Sequence, residues 1–150
     1  GEVFALQGRA FGKEQPKYLT LKLDETKQKI FGLDTINLQK RLYIVEGPID
    51  SLLIDNCLAA AVAYLQLPVE KKDVVFIFDN EPRNKQIIDR MYRAIENEYM
   101  LVIWPEGQVE KDITDMIMNG KSKSDIQKII SENTYSGLSA LTKLNSYKRC

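Results

Sequence analysis

The stretch Tyr-Ile-Val-Glu-Gly-Pro-Ile-Asp, residues 43–50, decides how this chain is expected to fold. Its first three residues are apolar and suit a buried strand, whereas Pro48 fits the first position of a helix, where its missing N–H costs nothing. Gly47 is therefore the turn. Glu46 ends the strand and Asp50 follows one helical turn later, at the edge where open α/β sheets bind their ligands.

The same order of strand, acid, turn and helix recurs further along the chain. Residues 73–78 form another buried-strand pattern that leads directly into Asp79, Asn80 and Glu81. Because parallel strands end at a common edge, Glu46, Asp79 and Glu81 are expected to converge there. Carboxylate oxygens are hard ligands and suit Mg²⁺ or Mn²⁺ far better than Zn²⁺. The sequence thus predicts a metal site.

The rest of the chain alternates between apolar runs and helical patterns. Residues 58–64 and 99–104 indicate two more strands, and Trp104 with the proline after it is better explained as core and turn than as a base-stacking platform. Apolar residues at i, i+3, i+4 and i+7 predict an amphipathic helix over residues 84–97. Strands separated by helices predict an α/β fold with a parallel four-stranded sheet and helices on both faces.

Two further helices are predicted near the end of the chain. One covers residues 112–118, and a second begins at a capping box formed by Ser124 and Gln127. Residues 137–150 could form a docking helix, although a frayed and solvated end is the favoured interpretation.

Composition narrows the possible chemistry. With 150 residues, 44% of them hydrophobic and 28% charged, one principal domain is expected. No apolar run approaches the roughly 20 residues that span a bilayer, so a soluble, cytoplasmic protein is expected. The chain has no histidine, which removes Ser-His and Cys-His nucleophilic sites. Its two cysteines are too few for a zinc site, and Cys57 is expected to be a buried free thiol.

The N-terminal part differs from the remainder in charge and rhythm. Residues 1–41 hold eight Lys or Arg and five acidic residues, whereas residues 42–150 hold 13 and 16. Strands are expected at residues 3–6 and 18–23, joined by a loop. A small, basic, mostly-β subdomain is predicted, for which solvated lysines on a hairpin are the simpler explanation and a nucleic-acid surface the functional one.

Three motifs carry a family resemblance. In chain order they are Glu46-Gly47-Pro48-Ile49-Asp50, Asp79-Asn80-Glu81 and Lys111-Asp112-Ile113-Thr114-Asp115. They resemble the Toprim module of primases, topoisomerases and certain nucleases. Nearly all 150 residues look like the catalytic, C-terminal part of the primases of T-even-type bacteriophages, with residues 104–105 also matching.

The resemblance implies a division of the chain and a reason to regard it as a fragment. It implies a subdomain at residues 1–41 that contacts template or nucleotide, a Toprim-like catalytic core at residues 42–120, and a helical extension at residues 121–150. Primases of this kind also carry a Cys-rich zinc module, which this chain cannot supply, and no initiator Met is present. We therefore expect a fragment without zinc.

The resemblance further implies synthesis of short RNA primers on single-stranded DNA, from ribonucleoside triphosphates, with two Mg²⁺ or Mn²⁺ ions. The implied setting is phage DNA replication in the host-cell cytoplasm, with a hexameric replicative helicase and a single-strand-binding protein as partners. A topoisomerase would need a nucleophilic tyrosine on another domain. A Toprim-type nuclease and a non-catalytic docking module for helicase or DNA remain as alternatives.

Candidate residues follow in two groups. The acids expected to act in catalysis are Glu46, Asp79 and Glu81, and they are joined as metal ligands by Asp50, Asp112 and Asp115. The residues expected to contact nucleotide or template are Arg9, Lys17, Tyr18, Arg83, Lys85 and Lys111. Glu46 could be general base or metal ligand, and either Thr114 or Asp115 could complete the last motif. Asp50 and Asp112 could equally be simple helix caps.

Overall fold

A computed structural model describes residues 2–13, 15–16, 18–27, 29–60 and 68–150. The chain forms two units, residues 1–30 and residues 31–150. The larger unit therefore begins before residue 42 and includes residues 121–150, while the assignment of separate functions to the three predicted domains stays a prediction. Lys17, and the part of the predicted strand that follows residue 60, lie outside the described residues.

The smaller unit contains an antiparallel hairpin. Its strands are β1, Ala5–Arg9, and β2, Tyr18–Lys22, with Leu6 opposite Leu21. The sequence placed the first strand at residues 3–6, which is wrong by several residues. The strand continues through the polar residues that face solvent, and these carry no apolar alternation that could reveal it.

A six-stranded sheet is formed by β3 (Ile30–Phe31), β4 (Leu42–Val45), β5 (Cys57–Ala60), β6 (Val74–Phe76), β7 (Met100–Val102) and β8 (Thr134–Tyr135). Its order is β3-β5-β4-β6-β7-β8, and all of it except Ile30 belongs to the larger unit. The four central strands are parallel neighbours, and β8 runs antiparallel to β7. The predicted parallel four-stranded sheet is thus confirmed as the centre, with a two-residue strand added at each edge.

Helices cover both faces of this sheet, as predicted. They are α1 (Pro48–Ser51), α2 (Lys85–Glu96), α3 (Ile113–Met118), α4 (Lys123–Glu132) and α5 (Gly137–Tyr147), and a 3₁₀ helix covers Lys71–Asp73. Alternate strand residues point to opposite faces. Val45, Val75 and Val102 therefore share one apolar cluster with buried residues of α3 and α4. The helices α2 and α5 pack on each other and on β7, and their buried residues lie outside that cluster.

Two expectations for the last third of the chain need correction. The capping box that opens α4 is formed by Ser122 and Asp125, not by Ser124 and Gln127, because Ser122 Oγ accepts from Asp125 N at 3.1 Å and the Asp125 carboxylate accepts from Ser122 N at 3.0 Å. The frayed-end interpretation of the tail is also wrong. Ala140 and Leu144 lie one helical turn apart and are fully buried, which anchors α5.

Cys57 is a buried free thiol, as expected, and burial raises its pKa to about 12. None of the helices within the described ranges is long and apolar enough to cross a lipid bilayer.

Candidate active site

Two neighbouring strands deliver Glu46 and Asp79 to one place. Ile44 of β4 lies opposite Phe76 of β6 in parallel register, and Ile77 N donates to Ile44 O at 2.8 Å. The chain leaves both strands at the same edge, and the two acids line a small pocket there together with Asp50 and Asp112. The remainder of the pocket is apolar and consists of Val45, Ile77, Phe78, Trp104 and Ile113.

Asp79 lies in a region of excess negative charge. Burial, opposed by Lys111 and reinforced by the nearby charges of Glu46 and Asp112, raises the pKa of Asp79 to about 6. These influences also show that Glu46, Asp79 and Asp112 are electrostatic neighbours, although they are far apart in sequence. A cation in this pocket would relieve the repulsion between them.

Glu46 forms an ion pair with Arg90 of α2. Both side chains are partly buried, and Arg90 Nε also donates to Gln86 O at 3.2 Å. Sequence reasoning missed Arg90, which lies 44 residues from its partner. The helical period places it on the polar side of α2 and gives no indication of what it meets.

Lys111 bridges the two acids of the turn after β6. Its Nζ lies 3.4 Å from Asp79 Oδ2 and 2.9 Å from Glu81 Oε1. Glu81 also accepts from Asn84 Nδ2 at 2.6 Å, and the bonds from Asn84 and Lys111 hold the pKa of Glu81 below its ordinary value. Asp79 and Glu81 therefore face a common cation, and that cation is a lysine.

Asn80, between these acids, fastens the turn to the loop that precedes α3. Its backbone N–H donates to Lys111 O at 2.6 Å, and its side-chain amide donates to Gln108 O at 2.8 Å and Glu110 O at 3.1 Å. Its Oδ1 accepts from the Tyr147 hydroxyl of α5 at 3.0 Å. No short motif signals such a role, because all of its partners are distant in sequence.

The buried indole of Trp104 stabilises the same edge of the sheet through a hydrogen bond. It is 2% exposed, and its Nε1 donates to Phe78 O at 2.8 Å. The prediction that Trp104 belongs to the core is confirmed.

Asp50 and Asp112 act locally as anchors. Asp50 Oδ1 accepts from both the backbone N–H and the hydroxyl of Thr114, at 2.8 and 2.7 Å. Burial raises the pKa of Asp50, although the bonds from Thr114 lower it. Asp112 is the N-cap of α3 and accepts from Asp115 N at 2.8 Å. The helix-cap interpretation therefore describes Asp112, which also lines the pocket, but not Asp50.

The other predicted residues lie around this pocket or away from it. Asp115 is exposed on α3 and does not line the pocket, and Lys85 is exposed at the start of α2. Arg83 lines a groove of about 680 Å³ beside Glu81. In the smaller unit, the guanidinium of Arg9 lies 5.6 Å from the ring centre of Tyr18.

The chemistry of the pocket suits a hard divalent cation, because its charged donors are carboxylate oxygens only. Across the described parts of the chain, no three acidic side chains converge closely enough to hold one ion as they stand. Glu46 instead pairs with Arg90, and Asp79 and Glu81 pair with Lys111.

Comparison with known proteins gives two relationships. A curated protein described as DNA primase, from Enterobacteria phage T4, is 33% identical over an alignment of 154 positions that covers 99% of this chain and 45% of the relative. The chain thus spans less than half the length of that relative. A solved structure of the E. coli primase catalytic core matches with a TM-score of 0.64 and 21% identity, over 97% of this chain and 52% of the other. No family model matches the sequence.

Proposed function

We propose that this chain, which is related in sequence along nearly its whole length to the DNA primase of phage T4, is the catalytic part of a DNA primase. One observation carries the proposal beyond the relationship itself. The structure shares the fold of a primase catalytic core, and at the edge of its parallel strands Glu46, Asp79 and Asp112 line one pocket. Clustered carboxylates at that edge suit nucleotidyl transfer, which needs divalent cations near the triphosphate.

The proposed reaction joins the 3′-hydroxyl of a growing RNA to the α-phosphate of a ribonucleoside triphosphate and releases pyrophosphate. Glu46, Asp79 and Asp112 are the residues that would hold Mg²⁺ or Mn²⁺, with Glu81 beside them. Bound ions of this kind supply activation of the hydroxyl and neutralisation of the triphosphate charge. Two ions are proposed.

The remaining side chains of the site have positioning or binding roles. Arg90 fixes the carboxylate of Glu46 at the end of β4. Asp50 holds α3 through Thr114 and is a positioning residue in this proposal. Arg83, exposed beside the groove next to Glu81, is suited to bind phosphate oxygens as a charged donor.

The substrates and partners follow from the same proposal. Single-stranded DNA is the proposed template, and Arg9 and Tyr18 of the smaller unit are suited to contact it through charge and base stacking. The proposed partners are a hexameric replicative helicase and a single-strand-binding protein, and the proposed location is the cytoplasm of the host cell.

Primer synthesis tests the proposal directly. The chain is incubated with single-stranded DNA, ribonucleoside triphosphates and Mg²⁺ or Mn²⁺, with and without a replicative helicase, and labelled products are resolved by length. We expect Asp79→Asn and Glu46→Gln each to lower synthesis at least about 100-fold and to leave DNA binding largely intact. The control Asp55→Asn changes the same kind of side chain at an exposed position outside the pocket.

Two other results would contradict the proposal and indicate a different function. Metal-dependent shortening of labelled DNA without nucleotides, lost in Asp79→Asn, would identify a nuclease. Helicase or DNA binding without any synthesis, unaffected by both pocket variants, would identify a docking module.

A further inference from the structure

Lys111 occupies an unusual position for a lysine beside a proposed metal centre. Its ammonium group lies within 3.4 Å of Asp79 and 2.9 Å of Glu81, so it contacts both acids of the turn after β6. The Lys111 ammonium group therefore lies between two proposed metal ligands.

The backbone holds Lys111 in this place. Its carbonyl oxygen accepts from the backbone N–H of Asn80 at 2.6 Å, and Asn80 is the residue between the two acids. The side chain of Asn80 also holds the loop before Lys111, through the carbonyl oxygens of Gln108 and Glu110. Three hydrogen bonds thus fix the backbone at Lys111 next to Asp79 and Glu81.

The side chain itself is free to leave. It is 52% exposed, and a lysine has a flexible four-carbon stem whose ammonium is well hydrated in water. An ion pair that is half exposed is weak, because water screens its charges. A divalent cation that needs the oxygens of Asp79 and Glu81 can therefore displace the ammonium at small cost.

We propose that Lys111 is a resident counter-ion, which neutralises Asp79 and Glu81 until a divalent cation binds and is then released towards solvent. This inference rests on the metal site of the proposed function. It does not depend on which reaction the metal serves. It accounts for the finding that no three acids of the described residues converge on one point while two of them face a lysine. Lys111 is a positioning residue in this role, and it lowers the affinity for the ion.

Binding of Mn²⁺ without nucleotide tests the inference. Isothermal titration calorimetry, supported by the electron paramagnetic resonance signal of free Mn²⁺, is carried out on the unmodified chain and on Lys111→Met. We expect the variant to bind Mn²⁺ about three- to tenfold more tightly, because the ion no longer displaces a competing charge. Lys72→Met is the matched control, since it removes the same charge from an exposed pair with Glu70 at 2.6 Å outside the pocket.

A second measurement does not depend on the variant folding. The unmodified chain is treated briefly with an amine-acetylating reagent, with and without Mn²⁺, and the modification of each lysine is read by mass spectrometry. Displacement predicts that Mn²⁺ accelerates acetylation of Lys111 and leaves Lys72 unchanged.

The outcomes separate this inference from the proposed function. Unchanged or weaker Mn²⁺ binding by a folded Lys111→Met, or Mn²⁺-independent acetylation of Lys111, would overturn the inference alone. If neither protein binds Mn²⁺ at millimolar concentration, the metal centre and the counter-ion role both fail. If primer synthesis fails but Lys111→Met binds Mn²⁺ more tightly, the inference holds and the reaction is a different one.

Discussion

Asp50 and Thr114 are joined by two hydrogen bonds, although 64 residues separate them in the chain. One carboxylate oxygen of Asp50 accepts both the backbone N–H and the hydroxyl of Thr114, at 2.8 and 2.7 Å. Asp50 lies in α1, and Thr114 lies in the first turn of α3, two residues after Asp112. The two hydrogen bonds therefore fix the position of Asp112 in the pocket. The first and last motifs are thereby built as one unit.

Replacing Thr114 by valine tests how strongly this tie holds the fold. The change removes the hydroxyl donor and keeps the shape, so it leaves a half-buried carboxylate with one bond fewer. We expect the free energy of unfolding in urea to fall by about 1–3 kcal/mol. Thr114→Ser keeps the hydroxyl donor and should lose clearly less stability than Thr114→Val. A Thr114→Val variant as stable as the unmodified chain would contradict a contribution from the hydroxyl bond.

Gly47→Ala should act on the same tie from the other side. The backbone of Gly47, at φ −93° and ψ 126°, is open to any residue, but an added Cβ would lie only 2.5 Å from Asp50 Oδ2. The carboxylate would have to move away from Thr114, and such overpacking costs about 1–3 kcal/mol of unfolding free energy. Asp50→Ala removes the obstructing atom, so Gly47→Ala should cost clearly less in that background. A double-mutant cycle by urea unfolding measures the difference.

Local sequence patterns were sufficient for the central sheet and the main helix. The apolar runs that became β4, β6 and β7 are short, continuous and followed by turn residues, and the period of α2 is set by its own buried face. Asn84 and Asn97, which ended the predicted helix, are its two caps. Strand β8 could not be predicted, because two residues carry no periodicity and owe their pairing to β7.

The candidate site could be predicted only in outline. Glu46 and Asp79 each follow the end of a strand, so a parallel sheet is enough to place them at one edge. That part of the prediction depends on topology alone. The side chains that these acids contact depend on tertiary distances, so the ion pair of Glu46 with Arg90 and the bridge made by Lys111 were beyond reach. The same holds for the bonds of Asn80, whose partners come from a loop and from α5.

The loop that carries Lys111 depends on a buried ion pair. Glu110 is 7% exposed and accepts from Lys121 Nζ at 2.7 Å and from Gln108 Nε2 at 2.6 Å. We expect Lys121→Met to lower the thermal midpoint more than Glu110→Gln does, because the first leaves a buried charge without its partner and the second removes the charge. Differential scanning calorimetry at pH 7 compares the two.

Acid should weaken this ion pair. The bond from Lys121, followed by smaller contributions, holds the pKa of Glu110 below its ordinary value of 4.5. A carboxyl with a lowered pKa stabilises the folded state above its ordinary pKa and loses that contribution as the pH falls through the folded value. The difference in thermal midpoint between the unmodified chain and Lys121→Met should therefore shrink below about pH 4.5. A difference that stays constant with pH would contradict this prediction.

Asp79 should show the opposite dependence on pH, because its pKa is raised. Burial and the charges of Glu46 and Asp112 bring the pKa of Asp79 from 3.8 to about 6, so the folded protein holds a proton that the unfolded chain has already lost. Ionisation of Asp79 therefore costs stability as the pH rises from about 4 to about 6. Its side chain is 30% exposed, which reduces the full cost of such a shift to about 1–2 kcal/mol.

Asp79→Asn should consequently stabilise the fold while it removes activity. Above pH 7, where Asp79 is ionised, we expect the variant to gain about 1–2 kcal/mol of unfolding free energy, and near pH 4 the gain should vanish. Urea unfolding at both pH values measures this, with Asp55→Asn at an exposed position as the control. If the gain in unfolding free energy persists at pH 4, its cause is packing and not the charge of Asp79. Millimolar Mn²⁺ should narrow the gain at pH 7, because an ion on the carboxylates stabilises the unmodified chain more than the variant.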